Sequence, residues 1–200
     1  MKKPKPLPPF MTLTEAGMTV TLSKPTVLGG VQQSHVSMRI PAVRDVRVAN
    51  AAADYDEEEA EYNLLCALTG ISEQDIDVLG LKDLERLKES YLSLVREDEG
   101  FSKDGPLPSF LQMTDDGAVI TLSRPAEMNG TKVDSLLMRA PTVRYSRAAT
   151  RAAEGDSEKR ELILFSSLAE VGTSDLEAMP VKDYTRLQRG YFRLLREDRV

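Results

Sequence analysis

The side chains able to do covalent or proton-transfer chemistry are few, and their spacing does not assemble a reaction centre. One histidine, His35, and one cysteine, Cys66, occur in 200 residues. His35 falls near a strand and has no oriented partner beside it, so general base work is not supported and the residue reads as exposed. Cys66 lies in an apolar helical stretch and reads as a small hydrophobe rather than a nucleophile. A single cysteine can form neither an internal disulfide nor a CxxC metal site. The carboxylate run from Asp54 to Glu61 lacks the alternating ligands and central glycine of an EF-hand loop. It reads as the solvated start of a helix, where negative charge suits the positive helix end. Neither GxGxxG nor GxxxxGK[ST] is present, and Gly130-Thr131-Lys132 is only a turn fragment. No catalytic, cofactor-binding or metal-ligating residue is assigned, no cofactor is expected, and the chain is read as a non-enzyme.

Binding residues are the remaining candidates. Arg144, Arg147 and Arg151 lie at i, i+3 and i+7 and share one side of a helix, with Arg44 and Arg47 as a partial match earlier in the chain. Such a row fits phosphate or an acidic protein, and equally fits a solvated helix face. Leu87 and Tyr91, with Leu187 and Tyr191, lie on apolar helical stripes that serve either a core or a partner helix. Met11, Met18, Met38, Met113 and Met138 cluster in the strand regions, where flexible side chains suit an adaptable groove or an ordinary core.

Composition bounds the class. The chain is 41% hydrophobic, 29% charged and only 6% aromatic, without Trp, so its core is mostly aliphatic. No apolar run approaches the roughly 18 residues of a membrane span. Met1-Lys-Lys-Pro-Lys-Pro lacks the apolar stretch of a signal peptide. A cytoplasmic protein without a membrane partner is expected. The net charge is −6. Residues 1–100 hold 11 basic and 17 acidic side chains, and residues 101–200 hold 15 of each. The halves therefore need not share partners. An acidic chain is a poor general nucleic-acid binder, because phosphate neutralisation needs a basic face.

A tandem duplication dominates the sequence. Pro6-Leu7-Pro8 and Phe10 recur as Pro106-Leu107-Pro108 and Phe110. Thr21-Leu22-Ser23-Lys24-Pro25 recurs as Thr121-Leu122-Ser123-Arg124-Pro125, and Met38-Arg39-Ile40-Pro41 as Met138-Arg139-Ala140-Pro141. Lys82-Asp83 and Arg96-Glu97-Asp98 return at the same ungapped offset of 100, and 35 of 93 aligned positions are identical. Self-similarity of this kind marks repeated structural units. The organisation reads as a first unit at 1–98, a glycine-containing linker at 99–105 and a second unit at 106–200.

Each unit must then fold alike. Val20 and Leu22 alternate with Thr19 and Thr21, and Val36, Met38 and Ile40 alternate again, which gives two strands across a turn at Gly29-Gly30 or Asn129-Gly130. Pro25 is expected to end the first strand. A short extra strand near Met11–Leu13 would turn at Gly17. Pro41 opens a helix carrying Val43, Val46, Ala49 and Ala53. A second helix follows the acidic run and stops at Gly70. Ser72 caps a short segment to Leu79, and a last helix from Lys82 to Arg96 buries Leu84, Leu87, Tyr91 and Leu94 or Val95, matched by Tyr184, Leu187, Tyr191, Leu194 and Leu195. The fold class is α+β, tandem β-β-α-α-α units. A two-stranded hairpin leaves open edges, so the two copies are expected to associate as a pseudo-twofold pair, and an isolated unit to form a homo-oligomer.

The order of Val20-Thr-Leu-Ser-Lys-Pro25, a Gly turn, Met38-Arg-Ile-Pro41, Leu64-Leu-Cys-Ala-Leu-Thr-Gly-Ile71 and Ile76-Asp-Val-Leu79 leading into Asp83-Leu84 resembles the tail assembly chaperones of Mu-like and related contractile-tailed phages. The second copy keeps the strand landmarks but replaces Leu-Thr-Gly by Leu168-Ala169-Glu170. The tandem double copy departs from the usual single-unit member. The resemblance implies a non-enzymatic assembly factor that coats the tape measure protein, with other tail proteins as further partners. Two other readings stand beside it: a small nucleic-acid-binding regulator using the Arg row of the second copy, and a structural tail component.

Overall fold

A computed structural model describes residues 6–97 and 105–196. The readings made of Met1–Lys5, and of the linker apart from Gly105, lie outside these residues. The chain divides into two compact units, Met1–Arg96 and Glu97–Val200. The first holds strands β1 (Met11–Leu13), β2 (Gly17–Leu28) and β3 (Val31–Arg39). Helices α1 (Val43–Ala52), α2 (Glu57–Thr69), α3 (Glu73–Asp77) and α4 (Leu81–Val95) follow. The second repeats the series with β4 (Leu111–Thr114), β5 (Gly117–Met128) and β6 (Thr131–Arg139). Its helices are α5 (Val143–Ala153), α6 (Ser157–Ala169), α7 (Thr173–Ala178) and α8 (Val181–Leu194). The duplicated α+β class is thus observed, with one strand and one short helix more per unit than β-β-α-α-α.

Each unit has its own antiparallel three-stranded sheet, in the order β1-β2-β3 and β4-β5-β6. The added first strand covers part of the edge that a bare hairpin would leave open. Its turn depends on Gly17 and Gly117, at φ 152° and 145°, where a Cβ would overlap the carbonyl oxygen of Met38 or Met138.

Pro25 does not end its strand. β2 runs through it to Leu28, while pairing to β3 slips between Thr21↔His35 and Thr26↔Gln33. Leu22, Ser23, Lys24 and Pro25 therefore oppose Ser34 alone, and a proline inside a bulge has no ladder bond to donate. The same slip separates Thr121↔Ser135 from Ala126↔Val133.

The helices cover one face of each sheet. Met18, Val20, Leu22, Val36 and Met38 meet Leu64, Leu65 and Leu68 of α2 and Leu84 and Leu87 of α4 in one apolar cluster. Ala118, Ile120, Leu122, Leu136 and Met138 do the same with Leu162, Phe165, Leu168 and Leu187. Met18, Met38 and Met138 are core, at 2%, 2% and 0% exposure, as is Met11, whereas Met113 is half-buried against the core of its unit. Full burial of one such side chain is worth about 1.5–3 kcal/mol. Leu195, read as part of the last apolar stripe, lies past the end of α8 and is exposed.

Helix ends follow their sequence signals. Asp56 accepts the Glu59 N–H at 2.9 Å and caps the acidic start of α2, and Gly70 closes that helix in the left-handed region. Ser72 and Asp75 form the capping box of α3.

Candidate functional site

A buried polar cluster lies under the bulge of each unit. Slipping the register frees the Ser23 N–H from the ladder. It donates instead to Asp83 Oδ1 at 2.6 Å, and Ser23 Oγ donates to Asp83 Oδ2 at 2.8 Å. Asp83 is fully buried. Arg86 stands one turn on, with Nη1 3.4 Å from Asp83 Oδ1, 2.8 Å from the Thr21 carbonyl, and its guanidinium 5.0 Å from the Phe10 ring centre. The second unit repeats the arrangement. Ser123 N–H and Oγ reach Asp183 at 2.5 and 2.9 Å, Arg186 Nη1 reaches the Thr121 carbonyl at 2.8 Å, and the Phe110 ring lies 4.7 Å from the guanidinium. Glu97 adds an ion pair to Arg186 at 2.5 Å. Burial pushes the Asp183 carboxyl above its usual range, against the pull of the Ser123 donors and Arg186.

This cluster is a staple rather than a reaction centre. The serine hydroxyl is spent as a donor to the carboxylate, and both carboxylate oxygens are spent on the bulge, so nothing in it is poised to attack a substrate. The sequence signal was available: Ser23, Asp83, Arg86 and Phe10 all recur unchanged. Phe10, Ser23 and Asp83 stand among the repeat landmarks of the sequence and Arg86 was not singled out, because spacing alone does not bring positions 23 and 83 together.

A second tie holds the hairpin tip. Asp75 Oδ1 accepts the Gly29 N–H at 3.0 Å, and Asp175 Oδ2 accepts the Asn129 N–H at 2.8 Å. The Gly29 N–H, with the Ser72 hydroxyl, holds the Asp75 carboxyl below the usual carboxylate range. The Arg at the end of the last strand changes partner between units. Arg39 grips Asp45 of α1 with two bonds of 2.5 and 2.8 Å, whereas Arg139 pairs with Glu170 at 2.7 Å. Position 145 is Tyr and position 170 replaces Gly70, so the change in the Leu-Thr-Gly landmark supplies the new partner. Glu170 keeps the left-handed helix end, at φ 55°.

The sequence-derived candidates fall into two groups. Arg144, Arg147 and Arg151 are exposed along α5, whose other side buries Ala149 and Ala153. Arg44 is exposed and Arg47 half-buried on α1. Leu87 and Leu187, by contrast, have no exposed surface and belong to the core of their own units, because the stripe they lie on is the one that faces the sheet. Tyr91 and Tyr191 are half-buried. Tyr191 stacks at a tilt on Phe165, 5.3 Å between ring centres, while Tyr91 borders a cleft between α1, α2 and α4. His35 is exposed, and burial pushes the half-buried Cys66 thiol up, away from the reactive thiolate. Among the described residues no group of acidic, His and Cys side chains is placed to hold a metal ion. None of their helices is long and apolar enough to cross a membrane.

No match was found among curated proteins or among solved structures. The family model described as phage tail assembly chaperone proteins, E, or 41 or 14, matches twice, at residues 19–96 and 119–196. These spans cover most of the chain and start and stop on the observed repeat, so the chain belongs to the phage tail assembly chaperone family, as a tandem double copy.

Proposed function

We propose that the chain binds the tape measure protein and supports assembly of the tail tube around it, acting without catalysis in the host cytoplasm, with other tail proteins as further partners. The observation that carries this reading is the family membership of both units. The physical need is that a long helical protein exposes apolar stripes that aggregate unless covered. A chain with two helical faces of unlike charge suits that task. α2 carries four carboxylates and no basic residue, whereas α6 carries two of each, and α5 adds exposed Arg144, Arg147 and Arg151. Two unlike faces on one chain give a bound partner a fixed direction.

The test is co-expression of the tagged chain with the tail proteins of its phage, followed by affinity capture. The tape measure protein is expected in the captured complex. Its absence overturns the reading. The Arg row on α5 favours one second reading, a nucleic-acid-binding regulator, for which salt-sensitive DNA binding is the sign. Recovery of the chain from purified virions would mark a structural tail component instead.

A further inference from the structure

The first unit has an open cleft of about 600 Å³ between α1, α2 and α4. Its floor is apolar, made by half-buried Val46 and Tyr91 and buried Leu64. Its rim is acidic, made by Glu57, Glu58 and Glu61. Lys88 Nζ neutralises Glu61 at 2.5 Å, so the exposed Glu57 and Glu58 set the sign of the rim. An apolar trough between helices with carboxylates along one side complements a helix whose apolar stripe is bordered by Lys or Arg.

We propose that this cleft docks a basic amphipathic helix of a partner protein. The inference rests on the reading that the chain works by binding another protein, and it names the surface and the charge of the segment taken. The second unit does not repeat the site. Ser146 stands in place of Val46, Ser157 in place of Glu57, and Arg160, exposed, in place of Ala60. The trough thus loses two apolar lining residues, Val46 and Ala60, and with Gln188 in place of Lys88 its lining changes from three carboxylates and a lysine to two carboxylates and an arginine that stands among them. A basic helix is held by the first unit alone, which fixes where on the double chain it sits.

The experiment uses the full chain and two synthetic amphipathic peptides of about 20 residues with the same Leu stripe at i, i+3, i+4 and i+7, one bordered by Lys and one by Glu. The Lys peptide is expected to bind and to shift amide resonances of α1, α2 and α4. Its affinity is expected to fall about tenfold or more in Glu57→Lys/Glu58→Lys, a change confined to exposed side chains. Asp115→Lys/Asp116→Lys, which alters net charge equally in an exposed turn of the second unit, is expected to leave affinity within about twofold, because screened charges outside the cleft contribute little. Equal binding of the Glu peptide, equal losses in the two variants, or shifts outside the first unit would overturn the proposal. Capture of the tape measure protein by a chain whose cleft ignores the Lys peptide leaves the chaperone reading standing and removes this one. Lys-peptide binding in the cleft with no tail protein captured does the reverse.

Discussion

Gly190 of α8 lies directly beneath Ile120 of β5, so close that a Cβ at 190 would stand 3.0 Å from Ile120 Cγ1. In the first unit the same two places hold Ser90, fully buried, and Val20. The copies divide one volume differently: the strand gains a methylene where the helix gives up a hydroxymethyl group. Tight interiors require such compensation, since overpacking by a methylene or two costs about 1–3 kcal/mol. Gly190→Ser and Ile120→Val are therefore expected to couple. Each alone destabilises or is near neutral, and the double variant is more stable than their sum by about 1 kcal/mol. Urea unfolding of the four chains of the cycle checks this, and additivity within about 0.5 kcal/mol would refute it.

The carboxylates under the bulges should be among the least replaceable polar groups. Asp83→Ala strands the Ser23 N–H and the neighbouring Arg86 in a buried setting, for an expected loss of about 3 kcal/mol. Ser23→Ala removes one hydroxyl bond and keeps the N–H bond, for about 1 kcal/mol. The pair Asp183→Ala and Ser123→Ala should show the same ranking. Amide exchange at Ser23 and Ser123 gives a local readout, with protection lost in the Asp variants and kept in the Ser variants.

What was legible in the sequence was whatever acts over short range. Alternation at Val20 and Leu22, the Gly29-Gly30 turn, the acidic start of α2, the Ser72 cap and the Gly70 stop each depend on neighbours a few residues away, and each stands where expected. The β1 strand is three residues long, too short for a firm periodic signal. The passage of β2 through Pro25 depends on Asp83, sixty residues on, accepting the N–H that the bulge releases. Leu87 and Tyr91 share a stripe in sequence, but only the packed sheet shows that the first is sealed in and the second reaches a cleft. The order of strand, turn and helix landmarks along one unit carries the resemblance to the family, whose model matches both units.

The two units should respond oppositely to acid at two named groups. Asp183 has a raised folded pKa, so its contribution to stability is fully present below the unfolded carboxylate value and is lost as pH rises through the folded value. Asp75 has a lowered one, so its contribution is present above the unfolded value and is lost as pH falls through the folded value. Taking wild type minus variant from about pH 7 to about pH 4, Asp183→Asn should become relatively less stable and Asp75→Asn relatively more stable. Urea midpoints at the two pH values measure both differences. Differences of the same sign for the two positions would contradict the assignment.

Glu170 puts two effects in opposition, and magnitude decides between them. Its left-handed backbone, at φ 55°, costs a non-glycine residue about 1 kcal/mol relative to glycine. Its carboxylate returns an ion pair with Arg139, but both side chains are at least half exposed, at 62% and 50%, and such a pair is worth about 0.5 kcal/mol or less. Glu170→Gly should therefore stabilise the second unit by about 0.5 kcal/mol at moderate salt, and by slightly more at high salt, where screening has already weakened the pair. The reverse change, Gly70→Glu, should destabilise the first unit by about 1 kcal/mol, because Arg39 is already held by Asp45 and does not need a new carboxylate. Thermal unfolding of both variants at low and high salt is the measurement. A destabilised Glu170→Gly chain whose loss disappears with salt would show that the Arg139 pair outweighs the backbone conformation.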